Sequence, residues 1–125
     1  LVSMNNIKTG QLGEDISCRI IAGKGYYIVD RNLRTKFGEI DIIAIDPGRD
    51  LVFIEVKTLI NKSVYQIKPE DNLTSSKLEK LKRICLWFAN QHPDLLSPGK
   101  GWRIDLLALS LEDGICRYKH YKNIG

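Results

Sequence analysis

The chain has 125 residues, 43% of them apolar, with 19 Lys and Arg against 15 Asp and Glu. That length fits one domain, and burial of roughly two-thirds of the unfolded surface supplies a core that needs neither disulfides nor metals. The composition excludes a disordered chain, while a net charge of +4 and a pI near 9.0 permit a polyanionic partner without demanding one.

Cys18, Cys85 and Cys116 are odd in number and far apart, no CxxC pair occurs, and only His92 and His120 could join them, which argues against a zinc site. Two of the cysteines fall in apolar helical stretches and read as reduced, buried thiols. A reducing, cytoplasmic setting follows. No apolar run reaches the roughly 18 residues of a membrane span, and no signal-peptide pattern is present. Residues 1–125 read as a single domain, with Met4 as the natural start and residues 1–8 as flexible or partly of artificial origin.

Residues 9–24 are expected to be helical, with Thr9 as N-cap, an apolar stripe at Leu12, Ile16 and Ile20, and Gly25 as the stop. "YYIVDRNL" (26–33) reads as a strand. "GEIDIIAIDPGRDLVFIEVKT" (38–58) then reads as two strands around the turn "DPGRD". Residues 59–73 have no period and read as a loop. A second helix is expected from about Ser76 to Gln91. Ser76 and Glu79 form a capping-box pattern there; Leu78, Leu81, Cys85 and Phe88 line its apolar face, with Trp87 assigned to the core. "WRIDLLALSL" (102–111) and "ICRYKHY" (115–121) complete the chain as strands around "EDG". The order is α-β-β-β-α-β-β. Continuous apolar runs such as "IIAI" and "LVFIEV" predict a central sheet covered by helices on both faces. "RIDLLAL" echoes "EIDIIAI", which reads as similar burial rather than as a repeat.

The apolar hairpin carries Glu39, Asp41 and Glu55 along its strands, with Lys57 two residues beyond Glu55. An unpaired buried carboxylate costs several kcal/mol even after relaxation. Alternate residues share a face, so Glu55 projects with Lys57, and Glu39 with Asp41. A three-residue loop from Pro47 to Arg49 sets Asp41 opposite Glu55, whereas a two-residue loop sends them to opposite faces. Carboxylates that meet repel unless a cation or proton intervenes, and oxygen ligands of this kind suit Mg²⁺ or Mn²⁺. Each residue also has an ordinary explanation. Glu14 in a first helical turn favours the macrodipole, and Glu55 with Lys57 can be a same-face ion pair. The basic residues Arg31, Arg34, Lys36 and Lys77 fit a solvated face as well as a phosphate surface.

"GEIDIIAID…LVFIEVKT", with "LGED" upstream, "YYIVDRNLR" between, and "RIDLLAL" and "HYKN" downstream, resembles the YraN-like bacterial proteins over about residues 9–123. That family resembles the PD-(D/E)XK, or restriction endonuclease-like, nucleases and is similar to archaeal Holliday junction resolvases. The resemblance implies an α/β fold with an αβββαβ core and Mg²⁺- or Mn²⁺-dependent hydrolysis of DNA phosphodiesters, often by a homodimer. Residue by residue, it implies metal ligation by Asp41, Glu55 and the Val56 carbonyl, water positioning by Lys57, and a supporting role for Glu14. Glu39 has no firm counterpart. Ile40 stands where the superfamily name has proline, and Leu59 stands where an arginine is common.

The expectation is a DNA endonuclease, with branched or otherwise non-duplex DNA as its finer target and no membrane partner. Its phosphate contacts are expected from Arg31, Arg34, Lys36 and Lys77. The competing expectation is a nucleic-acid-binding module of the same fold with little catalysis.

Overall fold

Pro47, Gly48 and Arg49 close the hairpin predicted at "DPGRD". The Arg49 amide donates to the Asp46 carbonyl at 2.9 Å, the Asp46 amide donates to the Asp50 carbonyl at 3.0 Å, and Arg49 adopts a left-handed φ of 71°. This is the geometry of a three-residue loop. It sets the pairs Ile45–Leu51, Ala44–Val52, Ile43–Phe53 and Ile42–Ile54. The next residues along each strand are Asp41 and Glu55, so the odd parity holds.

The computed structural model describes residues 6–66, 68 and 72–125. Parts of the expectations for residues 1–8 and 59–73 lie outside the described residues; of the rest, Asn6, Ile7 and Lys8 are helical rather than flexible, and Leu59 and Ile60 continue a strand, so the expected loop starts two residues later and holds a 3₁₀ turn. The elements are α1 (Asn6–Gly23), β1 (Tyr27–Thr35), β2 (Gly38–Ile45), β3 (Leu51–Ile60), α2 (Ser75–Gln91), β4 (Trp102–Glu112) and β5 (Ile115–Tyr121), with 3₁₀ turns at Val64–Gln66 and Pro93–Leu95. The strands form one sheet in sequence order. All neighbours are antiparallel except β3 and β4, which run parallel because α2 carries the chain across between them. The expected αβββαβ core on a mixed sheet is present, and its layout is compatible with a restriction endonuclease-like core.

Two cores follow from the pleat. On one face Ile43, Leu51, Phe53, Ile104, Leu106 and Ala108 meet Leu81, Ile84, Cys85 and Phe88 of α2. Phe53 sits edge-on to Phe88 and Trp102, with ring centroids 5.7 and 5.8 Å away. Such contacts add to simple area burial. On the other face Ile42, Ala44, Val52, Ile54, Leu107 and Leu109 meet Ile21 of α1 and Tyr26. No described helix is long and apolar enough to cross a membrane. All three cysteines are free thiols; burial pushes the Cys85 thiol up to about 12, which makes it inert, whereas Cys116 is exposed.

Four local expectations need correction. α1 begins at Asn6, so Thr9 lies inside the helix and does not cap it. Its sheet-facing line is Gly13, Ser17 and Ile21; Leu12 is 37% exposed, and Ile16 and Ile20 are half-buried beside it. Small residues face the sheet because helix and strand approach closely there. A Cβ on Gly13 would collide with the Thr58 hydroxyl. The N-cap of α2 is Thr74, whose hydroxyl accepts from the Lys77 amide at 3.4 Å, so Ser76 is already helical. Trp87 is 39% exposed, since the buried stripe at 81, 84, 85 and 88 turns it outward with Leu86.

Candidate functional site

The sheet forks next to its acidic residues. Pairing between β2 and β3 ends at Ile42–Ile54. Beyond that point β2 stays with β1 as far as Gly38, and β3 stays with β4 as far as Ile60. Separation takes the Val56 amide away from β2, and a side chain takes over: Val56 N–H donates to Asp41 Oδ2 at 2.7 Å. Asp41 therefore has a structural task as well as a charge. It holds the crotch of the fork.

Glu55 stands against it, with its carboxyl hydrogen-bonded to that of Asp41. Two carboxyls can share such a bond only if one keeps a proton. Burial, the hydrogen bond and the Asp41 charge together push Glu55 from 4.5 up to about 9, against a smaller opposing pull from Lys77. A cavity of about 320 Å³ opens beside the pair, lined by Glu55, Val56, Lys57, Asn72, Leu73, Lys77 and Leu106. Glu55 and Lys57 thus line one space, as their spacing predicts.

Glu14 approaches from α1. Its carboxyl is raised by burial and by the charge of Asp41, partly offset by a hydrogen bond from Asn32. Asn32 lies opposite Asp41 by register, between the pairs Arg31–Ile42 and Leu33–Ile40, and has a left-handed φ of 53°. Asparagine tolerates that conformation better than most residues. Asn32 is not among the residues expected from sequence. A polar residue interrupting the strand "YYIVDRNLR" is the signal that marks it.

The remaining candidates disperse. Glu39 is exposed and pairs with Arg34 at 3.3 Å. Arg31 pairs with Asp15 at 2.6 Å. The Lys36 ammonium lies over the Phe37 ring, 5.2 Å from its centroid. These three cations lie along or just after the edge strand β1, while Lys77 alone lines the cavity. Leu59, in place of the common arginine, packs against the α2-side core. Among the described residues no group of three or more His, Cys, Asp or Glu side chains could hold a metal ion, so Glu14 does not close a cage with Asp41 and Glu55.

A second polar cluster lies at the far end of the sheet. Arg103 contacts Asp46 at 2.5 Å, Asp50 at 3.3 Å and Asp105 at 3.1 Å, and donates to the Tyr26 hydroxyl at 3.0 Å. Asp105, fully buried, also accepts from the Asn123 amide at 2.8 Å and from His120 Nε2 at 2.7 Å. Lys24 donates to the other nitrogen of that ring at 2.5 Å, which fixes its tautomer. Every member has a partner, and together they tie the hairpin to β4 and β5. The echo between "RIDLLAL" and "EIDIIAI" holds for burial at Ile40, Ile42, Ile43 and Ala44 and their counterparts but not at the aspartate: Asp105 is enclosed, Asp41 only half so.

Residues 13–109 match the model of the "Uncharacterised protein family UPF0102". The chain belongs to the UPF0102 family, which comprises the YraN-like proteins. It is 38% identical over 112 residues to a UPF0102 protein of Pelobacter propionicus, covering 88% of this chain and 76% of that one. It is 36% identical over 107 residues to one from Thermodesulfovibrio yellowstonii, covering 86% and 89%. A third, from Renibacterium salmoninarum, is 34% identical over 120 residues, covering 95% and 97%. The matched span of this UPF0102 member holds Glu14, Asn32, Asp41, Glu55, Val56, Lys57 and Lys77.

Proposed function

We propose that this UPF0102 protein is a cytoplasmic, metal-dependent DNA endonuclease of the PD-(D/E)XK superfamily, acting on branched or otherwise non-duplex DNA. The observation that carries the reading is the Asp41–Glu55 carboxyl pair beside a cavity that Lys57 also lines. A pair that must share a proton when alone is suited to a divalent cation. Two carboxylates leave most of the coordination shell to water and phosphate oxygens, which is how Mg²⁺ is usually held. Asp41 and Glu55 would hold the ion, with the Val56 carbonyl as a third ligand.

A Mg²⁺ or Mn²⁺ ion bound there would polarise a phosphate oxygen and acidify a water. The protein supplies the rest. The Val56 amide fixes the Asp41 carboxylate before any ligand arrives, so orientation costs little on binding. Lys57 presents an ammonium at the cavity, where it can orient the attacking water and meet charge developing on the phosphorus oxygens. Lys77 adds positive potential from α2. Glu14, on α1 and within reach of the Asp41 charge, would assist the carboxyl pair that holds the ion. Arg31, Arg34 and Lys36 would contact phosphates outside the cavity, the first two after exchanging their present carboxylate partners. A homodimer would present two such sites to a branched substrate.

The absence of a third acidic side chain from the described cluster, with Leu59 packed away, favours one alternative: a nucleic-acid-binding module with little catalysis. A panel of junction, flap, single-stranded and duplex DNA, incubated with Mg²⁺ or Mn²⁺, separates the two. The enzyme reading expects metal-dependent cleavage that prefers the non-duplex members. Binding without cleavage, in either metal, selects the module.

A further inference from the structure

We infer that a nucleic acid engaged at the cavity places an unpaired base on the exposed ring of Tyr65, beside Lys119 of β5. This rests on the nucleic-acid reading of the site, though not on catalysis.

The strand register gives the placement. Lys57 pairs with Ala108, and Ala108 pairs with Lys119. In the same way Glu55 pairs with Leu106, and Leu106 with Tyr121. Laterally paired residues project to the same side of a sheet, so Lys57 and Lys119 stand on one face, two strand spacings or roughly 10 Å apart. It is the face on which the cavity opens. α2 covers this face at the Phe53 end, and the 3₁₀ turn at Val64–Gln66 covers it at the other.

That turn carries the ring. Tyr65 is 78% exposed although its neighbour Val64 is buried. The turn is held firmly: the Ser63 hydroxyl accepts from the Tyr65 amide at 3.2 Å, and Ser110 of β4 donates its hydroxyl to the Lys62 carbonyl. The Lys119 ammonium lies 6.0 Å from the Tyr65 centroid and 4.9 Å from that of Tyr121. An exposed aromatic face with a cation next to it matches the two needs of a nucleotide, a surface for the base and a charge for its phosphate. Arg117, two residues along β5, lies on the same face. Glu112, on the same face of β4, stands at the distal end beside the β4–β5 turn. In a duplex both faces of each base are already stacked, so Tyr65 can serve only an unpaired one.

The test is binding without cleavage. Fluorescence anisotropy with a labelled single-stranded oligonucleotide and a duplex of equal length, in EDTA, compares wild type with Tyr65→Ala, Tyr65→Phe and Lys119→Ala. Tyr65→Ala should weaken single-strand binding about tenfold to a hundredfold and leave duplex binding within twofold. Tyr65→Phe should bind like wild type, since the ring face is kept. Lys119→Ala should lower the salt dependence by about one unit. Matching thermal melts would show that the exposed substitutions leave the fold intact. Equal loss on both substrates, no loss at all, or wild-type protein that binds no single strand would each overturn the inference. Because no cutting is scored, a protein that never cleaves DNA can still pass this test, and one that does cleave can fail it.

Discussion

The amide of Val56 donates to Asp41 Oδ2 at 2.7 Å where β2 and β3 part. One carboxylate therefore closes the fork and faces Glu55. The two duties separate under substitution. Asp41→Asn keeps an oxygen that can accept from the amide but lowers the ligand charge. In the parent, a divalent ion at one hundred times its dissociation constant should add about 2.7 kcal/mol and raise the melting temperature accordingly. In Asp41→Asn most of that rise should vanish. Melting curves with and without Mg²⁺ check this, and an equal rise in both proteins would move the metal elsewhere.

Glu55 predicts an alkaline weakness. Burial, then its bond to Asp41, raises its carboxyl from 4.5 to about 9 in the fold. A group that holds its proton more tightly when folded contributes stability that is complete below pH 4.5 and is lost as pH rises through about 9. Metal-free protein should lose stability across that window. Glu55→Gln should flatten the decline, because nothing there remains to titrate. Denaturant midpoints at several pH values give the slopes, and identical slopes in parent and variant would refute the assignment.

The opposite sign holds at the other end of the sheet. Burial pushes Asp46 and Asp105 up, but hydrogen bonds from Arg103, His120 and backbone amides outweigh it and hold both below 3.8. Their stabilisation is present above pH 3.8 and lost as pH falls through the lowered values. Arg103→Leu leaves the enclosed Asp105 without its main cation. It should cost about 3–5 kcal/mol at neutral pH and move acid unfolding to higher pH. Urea titration at pH 7 and an acid titration by circular dichroism are the checks.

Gly13 predicts a coupling across the layers. A methyl group there meets the Thr58 side chain, its hydroxyl first and then its Cβ. Gly13→Ala should destabilise by about 1–3 kcal/mol. Thr58→Ala should recover part of the loss, so the double-mutant cycle should be non-additive. Additive energies would mean that helix and strand do not touch at that point.

Much of this was legible in the chain because it depends on neighbours in sequence. The five residues "DPGRD" set loop length, loop length set parity, and parity brought Asp41 to Glu55. The Arg103 cluster was not legible, since its members come from four separate segments and obey no period. Asn32 escaped for a related reason: its bond to Glu14 joins two elements whose packing is set by Gly13 and Thr58. Trp87 was misplaced because one residue on a helix turns the side chain about 100° and moves it out of the apolar stripe. Local pattern reveals elements and pairings, whereas polar contacts between distant elements need coordinates.

Asp41, Glu55 and Lys57 are proposed to act together in catalysis, beyond forming a charge pattern. Lys57→Ala tests this most directly, because Lys57 is outside the carboxyl pair and exposed at the cavity, so the fold does not depend on it. The measurement is the single-turnover cleavage rate of branched DNA in Mg²⁺, beside the affinity for the same DNA. Loss of one preorganised electrostatic group should slow cleavage about a hundredfold to a thousandfold, with affinity kept within a few-fold. Cleavage at the parental rate in purified Lys57→Ala, or a parent protein that never cuts, would rule out that catalytic role.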